Sequence, residues 1–226
     1  MCGCLHVSRR NLILAGMATF AIPQAVFAQS DQVEVIGGSV SVDGARRQKF
    51  DASQFKVDIG NDGGVIRARD QIFYLDPETE AEFYRGESGL VAEIVIRTGG
   101  VLSLFGKQSG AGVNIKTTNA VGAIRGTTTY IAWQSDEART YVCCCYGGVD
   151  LSNNSGGGKN LDTTYHTAVI LPAGGGVEAA PYDKPLDHYD DDIVALEKEA
   201  GREPRWQLPN GQLNFFAPVA VPLNSS

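Results

Sequence analysis

Apolar and polar side chains alternate in short runs along most of the chain, and this two-residue period is typical of β-strands. The runs end at Gly, Asp or Pro, which are turn residues. The pattern predicts strands at 33–35, 39–42, 55–59, 71–75, 92–97, 101–105, 113–117, 127–133, 139–145 and 149–152. Because the predicted strands are many and short, without intervening helices, the sequence predicts an all-β fold: a single-domain β-sandwich, roll or solenoid-like structure.

Glycines separate the predicted strands, and we expect them to mark turns. They stand at Gly99-Gly100, Gly110, Gly112, Gly126 and Gly147-Gly148. Glycine adopts backbone conformations that other residues avoid, so it is common where a chain reverses.

One short helix is predicted near the C-terminus. Asp190 or Asp191 can cap its N-terminus, and Ile193 and Leu196 fall on one face. Gly201 would end it. The predicted organisation is therefore a leader over 1–28, a β-domain over 29–180, and a C-terminal helix with an extended tail over 181–226.

The leader has the features of a twin-arginine signal peptide. Arg9 and Arg10 precede a moderately apolar run over 12–22, and small residues before Gln29 suit cleavage after Ala28. The apolar run is too short to span a bilayer, so we expect a periplasmic mature chain without a transmembrane span. An uncleaved membrane anchor is the alternative.

The charge of the predicted mature chain argues against nucleic acid as a partner. Removing the leader takes away Arg9 and Arg10 and no acidic residue, so the formal net charge changes from -7 to -9. No run of Lys or Arg remains that could neutralise a row of phosphates.

Several segments resemble the FecR-type domain, which is named after the periplasmic part of the ferric citrate uptake regulator. They are 98–106, 113–117, the Arg-Gly-Thr element at 124–127 and a glycine-containing segment at 142–151, within a match over about 60–152. The resemblance implies that 142–151 is a hairpin. It also implies a non-enzymatic periplasmic β-domain that senses or binds an envelope protein or a polymer ligand.

The resemblance points to structural roles for Arg125, Gly126, Thr127, Cys144 and Gly147. Glycine permits a tight backbone, Thr127 would begin a strand, and the Arg125 guanidinium can satisfy carbonyls or a carboxylate. Ligand binding by Arg125 is the alternative. The family register places Cys144 on the buried side of the sheet.

Cys143 and Cys145 would share one face of a strand, with Cys144 on the other. Neighbours two apart on a strand lie about 6.5 to 7 Å apart, with parallel side chains, and seldom form a disulfide. They could instead share zinc or copper with His166 as a third ligand. His188 and the acidic stretch 187–192 are further candidates.

Simpler explanations stand beside this metal hypothesis. A single histidine is more often a surface residue than a ligand, and helix capping with solvation explains the acidic stretch. On that basis no cofactor is expected.

The sequence contains no recognisable catalytic motif. The segment 86–89, for example, lacks the glycine spacing of a nucleophile elbow. The function that we expect is therefore a non-catalytic sensing or binding module. The alternatives are a metal-binding or thiol-redox protein that uses Cys143 and Cys145, and a hydrolase with an unrecognised pair of acids.

Overall fold

Twelve β-strands, one α-helix and a short 3₁₀ helix (Ser135–Glu137) make up the regular structure of residues 32–106, 112–181 and 185–204, which the computed structural model describes. Arg9, Arg10, Ala28 and Gly110 lie outside these residues. The strands are β1 (Val33–Val42), β2 (Lys49–Phe50), β3 (Gln54–Ala68), β4 (Gln71–Leu75), β5 (Glu80–Arg85), β6 (Val91–Leu104), β7 (Val113–Lys116), β8 (Ala120–Gln134), β9 (Arg139–Asn153), β10 (Gly158–Thr163), β11 (Thr167–Pro172) and β12 (Glu178–Ala179), and the helix is α1 (Asp190–Glu199).

All twelve strands belong to one hydrogen-bonded sheet that forms a small barrel. Neighbours follow the order β12-β11-β9-β8-β7-β6-β4-β3-β1-β2, while β10 pairs with β9 and β5 pairs with both β3 and β6. Among these described strands, β6 and β7 run parallel and the other pairings are antiparallel. The prediction of an all-β single domain with one short C-terminal helix is confirmed.

The longest strands bend, so that their two halves pair with different neighbours. Residues 91–98 of β6 pair with β5, and residues 101–104 pair with β4. In β9, residues 139–144 pair with β11 and residues 147–152 pair with β10. The bends lie where Gly99 and Gly147 have positive φ, +75° and +92°. Glycine allows such a change of direction without ending the strand.

The predicted turns at Gly99-Gly100, Gly126 and Gly147-Gly148 are therefore wrong, because these residues lie inside β6, β8 and β9. The predicted hairpin over 142–151 is wrong for the same reason, since those residues form one strand. Gly126 lies in a β-bulge, where the register with β9 shifts between Arg125 and Thr128.

Two groups of buried residues occupy opposite faces of the first half of β9. Val142 and Cys144 belong to the larger hydrophobic core. Cys143 and Cys145 belong to a second core, which also contains Tyr130 and residues of α1. This second core lies between the sheet and the C-terminal segment, and it positions the site described below.

The helix α1 forms where it was predicted, but its cap differs. Ile193 and Leu196 are buried in the second core, and Gly201 follows the helix with φ +68°. The N-cap is Tyr189, whose backbone N–H donates to Asp192 Oδ2 at 2.8 Å. The prediction that Asp190 or Asp191 caps the helix is therefore wrong. In the parts of the chain that the structure describes, no helix has the length and apolar character needed to cross a membrane.

Candidate metal centre

Four potential metal ligands converge between the sheet and the segment that leads into α1. They are Cys143, Cys145, His166 and His188, and their ligand atoms all lie within 4.8 Å of one another. Cys143 Sγ is 3.3 Å from His166 Nδ1, and Cys145 Sγ is 3.4 Å from His188 Nε2. In a tetrahedral zinc site, sulfur and nitrogen ligands lie about 3.5 Å apart, as expected from the usual bond lengths. The spacing therefore suits a tetrahedral ion.

Strand pairing brings three of these ligands together. Cys143 and Cys145 share a face of β9 because strand side chains alternate. His166 stands immediately before β11, and its backbone N–H donates to Cys145 O at 2.9 Å. Thr167 pairs with Cys144, so the register places His166 opposite Cys145 and on the same face. The fourth ligand, His188, comes from the turn that precedes α1.

Both histidine rings are held by a second polar partner. His166 Nε2 lies 2.9 Å from Asp190 Oδ1, and His188 Nδ1 lies 2.6 Å from Leu186 O. A carbonyl oxygen can only accept, so Nδ1 of His188 is the donor and Nε2 keeps its lone pair toward Cys145. Such carboxylate and carbonyl partners orient histidines in metal sites. Tyr165 fixes the Asp190 carboxylate in turn, with its hydroxyl 2.9 Å from Oδ2.

The site is closed to solvent. Cys143, Cys145 and His188 are fully buried, and the side chain of His166 is only 8% exposed. Four protein ligands fill a tetrahedron, whereas catalytic zinc sites keep one position for water or substrate. The arrangement suits a structural ion.

Burial and mutual contacts shift the pKa values of three of the four groups. Burial raises the pKa of Cys143, but the hydrogen bond with Cys145 and the nearby imidazoles of His188 and His166 outweigh it, and that pKa lies well below its usual value. Burial raises the pKa of Cys145, and the neighbouring Cys143 thiolate raises it further. Burial lowers the pKa of His166, yet Asp190 and Cys143 raise it to about 9. A bound metal ion would displace the protons of these groups.

The structure brings together the cysteines and histidines that the sequence suggested as metal ligands, and no carboxylate of the stretch 187–192 is among the four. Cys143, Cys145 and His166 meet, and His188 completes the set. Solvation does not explain Asp190, since it is 3% exposed and bonded to His166. The supporting roles of Asp190 and Leu186 were missed, because nothing local in the sequence links them to a histidine on another element.

The residues of the Arg-Gly-Thr element lie away from the four ligands. Arg125 is exposed on β8, with Nη2 at 3.0 Å from Asn160 Oδ1 and 3.3 Å from Asp150 Oδ1. Gly126 and Thr127 continue β8 through the bulge. Cys144 Sγ donates to Gly147 O at 3.4 Å, on the opposite face of β9 from Cys143. The structural roles predicted for these residues stay predictions.

Comparisons with known proteins do not assign a family. No family model matches the chain, and no curated protein matches it. Among solved structures, it is similar to a protein of Parabacteroides distasonis described as a "putative anti-sigma factor". The two are 9% identical, the match covers 72% of this chain and 82% of the other, and the TM-score is 0.49. A likeness at this level does not show membership, and the resemblance to the FecR-type domain stays a prediction.

Proposed function

We propose that this chain is a zinc-binding β-domain in which the metal fastens the C-terminal helix to the sheet, and that the domain acts by binding rather than by catalysis. The observation that carries the proposal is the convergence of Cys143, Cys145, His166 and His188 within 4.8 Å. The orientation of both imidazoles by second partners supports it.

Zinc fits the site better than Cu⁺. Two thiolates and two neutral imidazoles around Zn²⁺ carry no net charge, which suits a fully buried position. Cu⁺ in the same site would leave one negative charge uncompensated. Zn²⁺ also prefers four-coordinate tetrahedral sites with two Cys and two His ligands.

The metal would act as a clip between distant parts of the chain. Cys143, Cys145 and His166 are held by the pairing of β9 with β11, whereas His188 belongs to the segment before α1. Asp190, which orients His166, is the first residue of that helix. Metal binding therefore adds to the stability of the docked helix, because the site forms only when both parts meet.

The wider role is proposed from the sequence. The predicted twin-arginine leader would export a folded domain, which could take up zinc before export. The resemblance to the FecR-type domain favours an envelope protein or a polymer as the bound partner. A closed metal site supports a non-catalytic role, because it leaves no position for substrate. Turnover of any member of a glycan and ester panel by the zinc-loaded protein would favour the hydrolase alternative.

Metal analysis of the purified mature chain tests the proposal. We expect one zinc per chain, and we expect Cys143→Ser, Cys145→Ser and His188→Gln to lose it, because each removes a ligand. Cys144→Ala is the matched control, since it changes the middle residue of the triplet on the opposite face of β9. It should retain zinc.

Two results would contradict the proposal. One is a chain without metal in which thiol titration shows that Cys143 and Cys145 are oxidised. That result would favour the thiol-redox alternative. The other is equal loss of zinc from the control and the ligand variants, which would mean that the thiols affect only folding.

A further inference from the structure

A pocket of about 430 Å³ lies next to the candidate metal centre, and its lining includes Tyr130, which stacks on His188. Tyr74, Asp76, Tyr130, Asp187 and Tyr189 are among the residues that line it. The volume is within the range of sites for small molecules and far exceeds that of a bare ion. None of the five serves as a metal ligand.

The lining of the pocket is acidic and aromatic. Asp76 and Asp187 are its charged residues, and no Lys, Arg or His is among those that line it. In the described part of the chain, neither carboxylate forms an ion pair. Three tyrosines, Tyr74, Tyr130 and Tyr189, also line it, and aromatic rings attract cations at their faces. The chemistry therefore selects a positively charged ligand with an apolar surface.

Asp76 is the more buried of the two carboxylates that line this pocket. The Tyr130 hydroxyl donates a hydrogen bond to Asp76 Oδ2. Burial raises the pKa of Asp76 to about 7, and the nearby Asp187 and Asp192 raise it as well, against the hydrogen bond from Tyr130. A cation in the pocket would stabilise the ionised carboxylate, because opposite charges attract strongly where water is scarce.

The pocket shares a wall with the proposed metal clip. The Tyr130 ring stacks on His188, with ring centroids 4.7 Å apart and planes inclined by 23°. Asp187 and Tyr189 flank His188 in the chain. A bound metal at His188 would therefore fix the position of two residues that face the ligand.

We propose that this pocket binds a small organic cation, namely an ammonium group that carries apolar substituents. The site lies beyond the metal centre, and it rests on the proposed function only for the position of the segment that carries Asp187 and Tyr189. The bound ligand would lie against the tyrosines and neutralise the charge of Asp76.

Calorimetric titration of the mature, zinc-supplemented protein tests the proposal with tetramethylammonium chloride as the probe. Tert-butanol serves as an uncharged molecule of similar size, and sodium chloride keeps the ionic strength equal. We expect saturable binding of tetramethylammonium and none of tert-butanol. Asp76→Asn should weaken binding by about tenfold or more, because it removes the facing charge. Asp162→Asn, on exposed β10, makes the same change of net charge and should leave binding unchanged.

Absence of saturable tetramethylammonium binding would overturn the proposal, and so would equal binding of tert-butanol. The comparison of tetramethylammonium with tert-butanol uses the unaltered chain. It therefore tests the proposal even if the Asp76→Asn variant fails to fold. Equal weakening by Asp162→Asn would also overturn it, since it would reveal attraction to net charge alone.

The same titration separates this proposal from the metal proposal. Binding that depends on Asp76 in a chain that takes up no zinc when zinc is supplied would support the pocket and contradict the metal centre. Zinc bound at full occupancy without tetramethylammonium binding would support the metal centre and contradict the pocket.

Discussion

The three consecutive cysteines occupy two different environments, because side chains alternate along β9. Cys144 is buried in the main core beside Val142. Cys143 and Cys145 face the other way, each within 3.4 Å of a histidine nitrogen. A single residue type therefore serves packing at one position and chemistry at the two next to it. Substitutions that are equal in size can separate the two roles.

Asp190 offers the most specific residue-level test of the proposed metal site. Its carboxylate accepts from His166 and from Tyr165, so it fixes the ring that presents Nδ1 to the site. We predict that Asp190→Ala lowers zinc affinity about 10- to 100-fold, the usual effect of losing a partner of a metal-bound histidine. Competition with a chromophoric chelator measures this change.

Asp191→Ala is the control for that experiment. It removes the same charge from the same first turn of α1, so any general effect on the helix dipole is matched. A similar loss of affinity in both variants would show that Asp190 acts through the helix and not through His166.

The long strands show why glycine positions misled the prediction of turns. A Cβ on Gly100 would lie 2.4 Å from both Asp76 Oδ2 and Tyr130 Oη, so the absence of a side chain allows that pair to lie against β6. Gly99 likewise lies against Thr79. Glycine marks close approach and bends as well as turns, and sequence alone does not distinguish these cases.

The helix α1 is attached to the sheet by side-chain packing and by polar contacts. Leu196 is buried in the second core, and the Tyr146 hydroxyl donates to Glu197 Oε1. Arg202 Nε also donates to Glu197, at 2.8 Å, just beyond the end of the helix. These contacts would remain when the metal is removed, so zinc loss should loosen this element without unfolding the sheet.

Hydrogen exchange with and without a chelator tests this expectation. We predict that zinc removal raises amide exchange over residues 185–199, because His188 and Asp190 lose their anchor, while β4 keeps its protection. Amide exchange in the Cys144→Ala variant should respond to the chelator as it does in the unaltered chain. A uniform rise over the whole domain would mean that the metal supports the entire fold and not a local clip.

For the whole molecule, alternation was sufficient to predict the fold class but not the complete site. The periodicity identified most strand segments, and the face of Ile193 and Leu196 identified the helix. The chemistry of Cys143, Cys145 and His166 suggested a metal before any pairing was known. His188 was one of several further candidates, and the role of Asp190 beside His166 could not be assigned, because only the pairing of β9 with β11 and the packing of α1 bring these residues to the cysteines. Contacts between residues that are far apart in the sequence leave no periodic pattern of side chains.

X-ray absorption at the zinc edge of the mature protein tests the central claim most directly, since it reports the atoms around the metal. The proposed site predicts two sulfur neighbours at about 2.3 Å and two nitrogen neighbours at about 2.0 to 2.1 Å. A shell of oxygen and nitrogen without sulfur would contradict the account, and so would a third sulfur, which would place Cys144 in the site.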